Sequence, residues 1–249
     1  MTNPESSGTG KRAGQVALVT GSAKRLGRAI ALHLADEGAN LVIHFNHSGA
    51  DAKELVSQIR KMGRCAIGVK ADLAKKSEID RLLASADREF GRLDILINNA
   101  SNFLHTKFAT TTEETWDAAL DINLKAPFFC AQAAAPLLKK TRGNIINLSD
   151  VGGILGWTGY IPHCVSKAGV LMLTRVLAKE LAPDVRVNAI APGTISMEGD
   201  APKTESDYIK RTPLRRTGKT EDVTAALSLL LDSPFITGQV LVLDGGRTL

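Results

Sequence analysis

The stretch from Val16 to Gly27, VALVTGSAKRLG, constrains the fold of this chain more than any other. An aliphatic run ends at Thr20-Gly21, a short polar turn follows, and Gly27 opens a helical pattern. A strand, a glycine turn and a helix in this order present free backbone N–H groups to a phosphate. Gly21 permits the tight turn, and Gly27 permits close packing of the helix on the sheet. The stretch therefore predicts a nucleotide site; the alternative is an ordinary strand-to-helix turn.

Apolar runs alternate with longer amphipathic runs along the chain. The runs predicted as strands are Val16–Thr20, Leu41–Phe45, Cys65–Lys70, Ile95–Asn98, Asn144–Leu148, Arg186–Ile190 and Gln239–Leu243. The runs predicted as helices are Gly27–Glu37, Asp51–Met62, Lys76–Phe90, Glu113–Leu138, Cys164–Leu181 and Thr220–Leu231. Near-continuous apolar strands between helices are typical of a parallel sheet buried on both faces. The pattern predicts an α/β Rossmann fold, a doubly wound parallel sheet of about seven strands with helices on both faces.

The chain is predicted to form one domain. No repeat, low-complexity block or linker divides residues 14–249, and residues 1–13 form a polar segment that we predict to be a flexible tail. The irregular segment Thr194–Thr212 follows the carboxyl end of a predicted strand. Ligands bind at that edge of such sheets, so this segment is predicted to be a substrate lid.

Composition excludes several classes of function. The 249 residues carry 31 Lys and Arg and 26 Asp and Glu, a formal charge of +5, without a dense basic run, which argues against nucleic-acid binding. Cys65, Cys130 and Cys164 lack metal-ligand spacing, so we expect no metal site and reduced thiols in a cytoplasmic protein. No apolar run reaches the roughly 18 residues of a membrane span, and the polar N-terminus lacks a signal region, so no membrane association is expected.

The end of the second predicted strand discriminates between the two nicotinamide dinucleotides. An NAD site places a carboxylate there, but the chain reads His44-Phe45-Asn46-His47-Ser48, with no acid before Asp51. Lys24 and Arg25 in the first turn add positive charge. This environment favours the extra phosphate of NADP(H). The alternative is that His47 and Ser48 merely cap the next helix.

Seven landmarks in order resemble those of the short-chain dehydrogenase/reductase family, over residues 15–249. They are TGSAKRLG, Ala71-Asp72-Leu73, Asn98-Asn99-Ala100, Asn123 in DINLKAPFF, Lys167 in HCVSKAG, Ala191-Pro192-Gly193 and the terminal GQVLVLDGG. The resemblance implies an NADP-dependent oxidoreductase. It also implies a homotetramer built through Glu113–Leu138 and Cys164–Leu181, although the apolar residues of these two helices could equally be core. These residues are Phe128, Phe129, Leu171, Met172 and Leu173.

Finer features resemble the pteridine-reductase branch of this family. Arg25 replaces the usual middle glycine of the first turn, and HFNHS is similar to that branch's phosphate loop. Phe103 resembles a phenylalanine that stacks the pterin on the nicotinamide, and Asp150 stands where most of the family has serine. The resemblance implies NADPH-dependent reduction of a pterin, a dihydrofolate-like ring or a small carbonyl compound. Phe103 as plain core is the alternative.

The resemblance also assigns site residues. The expected cofactor-binding residues are Gly21, Lys24, Arg25, Leu26, Gly27, Asn46, His47, Ser48, Asp72, Leu73, Asn99, Ala100, Ser101, Lys167, Pro192, Gly193 and Ile195. The expected substrate-binding residues are Arg25, Ser101, Phe103, Asp150 and Tyr160. The expected catalytic residues are Asn123, Asp150, His163 and Lys167.

The chain departs from the family at its catalytic tyrosine, because His163 stands one helical turn before Lys167. Only an imidazolium is acidic enough to protonate a developing alkoxide, and the ordinary pKa of histidine is about 6.5. Histidine is also shorter than tyrosine, and a misplacement of about 1 Å can cost on the order of 100-fold in rate. Three interpretations stay open: a slowed reductase that uses His163 or a water relay, a reductase in which Asp150 protonates the substrate, and a protein that binds the cofactor without turnover.

A rival enzymatic hypothesis is a reductase of the 3-oxoacyl-(acyl-carrier-protein) type, since APGTI and GQVLVLDGG fit that branch equally well. An acyl carrier protein is acidic and would require a group of exposed basic residues near the predicted lid. The candidates are Lys203, Lys210, Arg211, Arg215 and Arg216. A hypothesis from a different class is a non-catalytic NADP(H)-binding protein.

Overall fold

The computed structural model describes residues 10–197 and 208–249. Seven parallel strands form one sheet in the order β3-β2-β1-β4-β5-β6-β7. The strands are β1 (Val16–Val19), β2 (Asn40–Phe45), β3 (Ala66–Lys70), β4 (Ile95–Asn98), β5 (Asn144–Leu148), β6 (Arg186–Pro192) and β7 (Val240–Leu243). The predicted doubly wound parallel sheet is therefore confirmed. The strand order reverses between β1 and β4, the position at which such sheets bind ligands.

Helices connect the strands and cover both faces of the sheet. They are α1 (Arg25–Asp36), α2 (Gly49–Lys61), α3 (Lys76–Phe90), α4 (Glu113–Leu120), α5 (Ala126–Thr141), α6 (Ile161–Glu180) and α7 (Thr220–Asp232). Most predicted element boundaries differ from these by less than one helical turn.

Alternate residues of each strand enter different hydrophobic cores. Ala17 and Val19 of β1 pack in a core with residues of α1, α2 and α7, whereas Val16 and Leu18 pack in a core with residues of α3, α5 and α6. This two-sided burial follows from the period of two in a strand. Each fully buried Leu or Ile contributes about 1.5–3 kcal/mol, so the two cores hold the strand ends rigidly.

The predicted helix Glu113–Leu138 is helical over its whole range, but it contains a π-helical segment that was not predicted. A π-helical turn, Asp121–Lys125, separates α4 from α5, and α5 continues to Thr141. The extra residue of this turn places Asn123 against the backbone of Asn102, with hydrogen bonds of 2.9 and 3.1 Å. Amphipathic periodicity does not reveal such a bulge, because its cause is a contact with a distant loop.

Two predicted segments fall partly outside the described residues. Residues 1–9 of the predicted tail lie outside them, but Arg12 is buried and forms ion pairs with Glu37 (2.5 Å) and Asp232 (2.9 Å). Residues 10–13 therefore pack on the folded domain and are not part of a flexible tail. Residues 198–207 of the predicted lid also lie outside the description. Ile195, near the start of the predicted lid, forms a β-bridge with Gly218, which follows the lid in the chain.

Candidate active site

A cleft of about 490 Å³ opens at the carboxyl ends of β1, β2 and β4. It contains eleven of the residues predicted to bind a cofactor. These are Gly21, Lys24, Arg25, Leu26, Gly27, Asn46, His47, Leu73, Asn99, Ala100 and Ser101. The cleft therefore coincides with the strand-order reversal at which a dinucleotide is expected.

The glycine turn of this cleft has no room for side chains. Gly21 has a φ of +62°, a left-handed conformation that favours glycine. A Cβ at Gly27 would lie 2.4 Å from Gly21 O and 2.6 Å from Asn99 Nδ2. Asn99 Nδ2 in turn donates to Thr20 O (2.8 Å) and Gly21 O (3.2 Å). The turn, the helix start and the end of β4 thus form one tightly packed unit.

His44 holds this turn from the neighbouring strand, a role that the sequence analysis missed. The N–H of Gly21 donates to His44 Nδ1 (2.9 Å), and His44 Nε2 lies 3.0 Å from Ala71 O, to which it donates. Burial lowers the pKa of His44, although the hydrogen bond to Ala71 opposes the shift, so the ring is neutral. A lone histidine in the apolar strand LVIHF was the available signal.

The start of α1 is suited to an anion. Lys24 precedes the helix without a side-chain cap, and no acidic residue lies in the first turn. The free N–H groups and the helix dipole both favour negative charge there. Lys24 and Arg25 are exposed, but Lys24 forms an ion pair with Asp51 (3.1 Å), which offsets part of the expected positive charge.

Six residues predicted to bind the cofactor do not line this cleft. They are Ser48, Asp72, Lys167, Pro192, Gly193 and Ile195. Asp72 accepts from the N–H of Ala74, and Ile195 packs against the core on the α1–α2 side of the sheet. Ser48 stands at the start of α2 without a capping hydrogen bond from its side chain, so the alternative that it caps the helix is also wrong.

A second cavity, of about 220 Å³, adjoins the ends of β5 and β6. Two predicted substrate residues, Phe103 and Asp150, line it, as do Pro192 and Gly193. The other lining residues are Val151, Leu155, Trp157, Thr194, Tyr208 and Arg247. Arg25 and Ser101, also predicted for the substrate, line the first cleft instead.

Aromatic rings form one wall of this second cavity. Phe103 stacks on Tyr160, with ring centroids 4.5 Å apart, and meets His163 edge-on at 4.7 Å. Trp157 lies parallel to His163 at 6.2 Å. Phe103 is 58% exposed, so the alternative that it is plain core is wrong.

His163 and Asp150 form a hydrogen-bonded pair at the base of the second cavity. His163 Nε2 lies 2.7 Å from Asp150 Oδ2, and His163 Nδ1 lies 3.3 Å from Asn102 O. A carboxylate and a carbonyl oxygen can only accept hydrogen bonds. Both contacts are attractive only if both ring nitrogens carry hydrogen, so this geometry favours the imidazolium. His163 is 2% exposed, whereas the Asp150 side chain is 21% exposed.

The charges around this pair keep Asp150 ionised. Burial alone would raise the pKa of Asp150, but the hydrogen bond from His163 and the charge of Lys167 outweigh burial and lower it. Lys167 is buried, and its Nζ donates to Leu148 O at 2.9 Å. Burial lowers the pKa of Lys167, and the nearby Asp150 carboxylate opposes that shift.

Asn123 positions the loop that carries Asn102. Its Oδ1 accepts from the N–H of Asn102 (2.9 Å) and from the hydroxyl of Ser101 (3.0 Å). Its Nδ2 donates to Asn102 O and to Ser166 Oγ, both at 3.1 Å. The side chain that was predicted to be catalytic therefore acts on the loop that contacts His163.

The described residues contain no group of three or more His, Cys, Asp or Glu side chains placed to hold a metal ion. Within the same part of the chain, no helix has both the length and the apolar character that crossing a bilayer requires.

Comparisons with known proteins extend over nearly the whole chain. A family model described as enoyl-(acyl carrier protein) reductase matches residues 21–248. The 3-oxoacyl-(acyl-carrier-protein) reductase of Synechocystis is 37% identical over 240 residues, covering 94% of this chain and 97% of that protein. Glucose 1-dehydrogenase 2 of Bacillus subtilis is 36% identical over 246 residues, covering 95% of each.

A solved structure has the same architecture. A blue fluorescent protein from a metagenomic library, crystallised with NADPH, aligns with a TM-score of 0.91 and 29% identity, covering 96% of this chain and 100% of that chain. Because a family model and relatives at 36–37% identity span almost its full length, this chain belongs to the short-chain dehydrogenase/reductase family.

Proposed function

We propose that the chain is an NADPH-dependent carbonyl reductase of the 3-oxoacyl-(acyl-carrier-protein) reductase type. The observation that carries this proposal is the Asp150–His163 pair. In this pair, the N–H of a buried imidazole is hydrogen-bonded to a carboxylate that lines a small cavity. The second cavity adjoins the ends of β5 and β6. The glycine-turn cleft lies at the ends of β1, β2 and β4, along the same edge of the sheet. A cofactor and a proton source at one edge are what a carbonyl reduction requires.

The first cleft supports NADP(H) as the cofactor. Gly27 has no room for a Cβ against Gly21 O and Asn99 Nδ2, so the helix start packs closely on the glycine turn, as in dinucleotide-binding folds. The buried Oδ1 of Asn102, which lines the cleft, has no hydrogen-bond partner among the described residues and could accept from a bound ligand. Asn46 and His47 stand where an NAD site would place a carboxylate. The NADPH-bound structural neighbour agrees with this assignment.

NADPH, when bound, supplies a hydride to the carbonyl carbon. We place the carbonyl oxygen beside Asp150, because His163 is buried behind it. The C=O electron pair moves onto this oxygen as the hydride arrives. The Nε2 proton of His163 passes to Asp150 and from Asp150 to the oxygen, leaving a neutral imidazole. His163 then regains a proton from solvent, so the carbonyl gains one hydride and one proton and becomes an alcohol.

Two further residues position this relay without contacting the substrate. Lys167, held by Leu148 O, favours the ionised form of Asp150 and so keeps the carboxylate able to accept the proton. Asn123 fixes the backbone of Asn102, whose carbonyl oxygen orients His163. The family resemblance assigns a catalytic role to both Lys167 and Asn123. In this proposal they act through Asp150 and Asn102, respectively.

The comparisons favour a carbonyl or hydroxyl substrate over a pterin. The relatives reported above are named for 3-oxoacyl and glucose substrates, which corrects the preference of the sequence analysis for the pteridine-reductase branch. Phe103 stacks on Tyr160 and lines the second cavity together with Pro192 and Gly193, so its predicted role in stacking a substrate ring on the nicotinamide stays a prediction.

Basic residues near the predicted lid support an acyl-carrier partner. Lys210, Arg211, Arg215 and Arg216 are exposed, while Lys203 lies outside the described residues. Arg216 forms an ion pair with Asp222 (2.8 Å), which offsets part of its positive charge. This cluster provides the electrostatic surface that an acidic carrier protein requires.

We propose a homotetramer as the assembled form. Phe128 and Met172, on α5 and α6, are exposed apolar side chains, whereas Phe129 and Leu173 pack against the core. Light scattering behind size exclusion tests this proposal, and a monomer at micromolar concentration contradicts it.

The function is tested by following NADPH consumption with an acetoacetyl thioester, biopterin and dihydrofolate, each repeated with NADH. We expect turnover of the thioester with NADPH, and weaker turnover with NADH. Turnover of the pterins alone would restore the pteridine-reductase hypothesis. NADPH binding, measured by cofactor fluorescence, without any turnover would instead support the non-catalytic binding protein.

A further inference from the structure

The second cavity contains a cation that the reaction described above does not use. Arg247 lines it together with Asp150, Phe103 and Trp157. Arg247 is half-buried, and its guanidinium makes no hydrogen bond or ion pair with the residues that the structure describes. A guanidinium at the wall of a largely apolar cavity attracts an anionic group, because its charge is only partly hydrated there.

The backbone that carries Arg247 is held in place by Asp244. The carboxylate of Asp244 accepts from the N–H of Gly246 (2.8 Å) and from the N–H of Thr248 (2.7 Å). Burial would raise the pKa of Asp244, but these hydrogen bonds outweigh burial and lower it, so the carboxylate is ionised. This nearby acid is therefore engaged by backbone N–H groups and does not pair with the guanidinium of Arg247, which has no acidic partner within residues 10–197 and 208–249.

A tight turn and a neighbouring side chain complete this arrangement. Gly245 and Gly246 have φ values of +64° and +87°, left-handed conformations that turn the chain back. The hydroxyl of Tyr208, which also lines the cavity, donates to Asp244 O at 3.4 Å. Arg247 is thus presented to the cavity from a fixed turn and not from a free chain end.

The size of the cavity limits its ligand. At about 220 Å³ it is smaller than the roughly 300–1,000 Å³ of pockets that hold drug-sized molecules. A short substrate fits it, with the reacting carbonyl at Asp150 and a second polar group at Arg247.

We propose that Arg247 is a specificity-determining residue and that this cavity binds short oxo acids, with the substrate carboxylate paired to Arg247 and its carbonyl beside Asp150. The inference rests on the proposed function for the reacting end of the site and adds short anionic carbonyl compounds to the substrates of that site. Arg247 binds a carboxylate bidentately, which a neutral amide of the same shape cannot reproduce.

The test compares short 2-, 3- and 4-oxo carboxylic acids with their primary amides, which have the same shape and no charge. For at least one acid we expect kcat/KM to exceed that of its amide at least tenfold, the ratio typical of a hydrogen bond to a charged group. Arg247→Met should reduce the acid-to-amide ratio of kcat/KM to about one, while Arg247→Lys should retain part of it. An amide used as well as its acid, or an equal loss on both in Arg247→Met, overturns the inference.

Binding provides a readout that does not depend on turnover. Trp157 lines the cavity, and Trp116 is the other of the two tryptophans in the chain, so Trp116→Phe makes Trp157 the sole tryptophan reporter. In that background we expect the acid to bind at least tenfold more tightly than the amide, and Arg247→Met to abolish the difference. Equal binding of acid and amide refutes the inference.

The two proposals fail in different ways. Selective binding of the acid without NADPH consumption refutes the reductase function and leaves the carboxylate site standing. Turnover of a neutral acetoacetyl thioester with no charge preference in either assay refutes the carboxylate site and leaves the reductase function standing. Neither result depends on a variant that is prone to misfold, since Arg247 is only half-buried and its guanidinium makes no hydrogen bond with the described residues.

Discussion

Nε2 of His163 lies 2.7 Å from Oδ2 of Asp150, thirteen residues earlier in the chain, and the two side chains differ tenfold in exposure, 2% against 21%. The imidazole is therefore the inner partner and the carboxylate is the partner that reaches the cavity. This order assigns direct contact with the substrate to Asp150, and the supply of the proton to His163.

Replacing Asp150 by Asn should lower kcat about 100-fold or more, because the amide cannot pass a proton from His163. NADPH affinity should stay unchanged, since Asp150 does not line the dinucleotide cleft. Stopped-flow turnover and cofactor fluorescence measure the two effects. Asp150→Ser is the control for loss of the hydrogen bond alone, because the serine hydroxyl can still donate to the carbonyl oxygen of the substrate. If Asp150→Asn retains wild-type kcat, Asp150 does not lie on the proton route.

Replacing His163 by Tyr should raise kcat at pH 7 to 8, because a phenol keeps its proton throughout this range. His163→Phe, which has a ring but no N–H, should lose about 100-fold in kcat at every pH. A kcat of His163→Tyr at pH 7 to 8 no higher than that of the wild type would contradict the role of His163 in proton supply.

Replacing Gly27 by Ala should weaken NADPH binding at least tenfold and lower stability by about 1–3 kcal/mol, as overpacking does. The new Cβ would lie 2.4 Å from Gly21 O, so the glycine turn must shift. Gly156→Ala is the matched control, since a Cβ there meets nothing within 4 Å. Fluorescence titration and thermal denaturation give the two quantities. An NADPH affinity equal to that of Gly156→Ala would show that the turn does not approach the cofactor.

His44 makes stability depend on pH in a defined direction. Burial lowers its pKa in the folded state, so below about pH 6.5 the unfolded chain binds more protons at this residue. Stability should therefore fall from pH 7 to pH 5, by at most about 1.4 kcal/mol per pH unit from this residue. His44→Asn retains an acceptor for Gly21 and removes the titration, so its urea-derived stability should depend less on pH over that range. Equal slopes for the two proteins would mean that the imidazole is not held neutral.

The fold and the dinucleotide turn could be predicted because their causes are local. The requirement for glycine at positions 21 and 27 follows from backbone geometry that a short motif contains. The π turn at Asp121–Lys125 could not be predicted, because Asn123 is drawn to a loop about twenty residues away. The periodicity of apolar residues in strands and helices does not reveal such a contact.

The chemistry of the second cavity was predicted only in part. The spacing of His163 and Asp150 was visible in the sequence, but which of them reaches the cavity depends on tertiary burial. The role of Arg247 could not be predicted from the sequence, because its position in the cavity wall depends on the hydrogen bonds from backbone N–H groups to Asp244. Two charged residues three positions apart would ordinarily be interpreted as a surface pair.

The hydrogen bond from Gly21 to His44 has a consequence for engineering coenzyme preference. A designer who wishes to convert this protein from one nicotinamide coenzyme to the other would mutate the end of β2, where the imidazole that anchors the glycine turn and two further residues of the cleft, Asn46 and His47, lie. Substitutions at position 44 that provide no acceptor for the Gly21 N–H will loosen the turn, whereas diversity confined to positions 46 and 47 leaves this hydrogen bond intact.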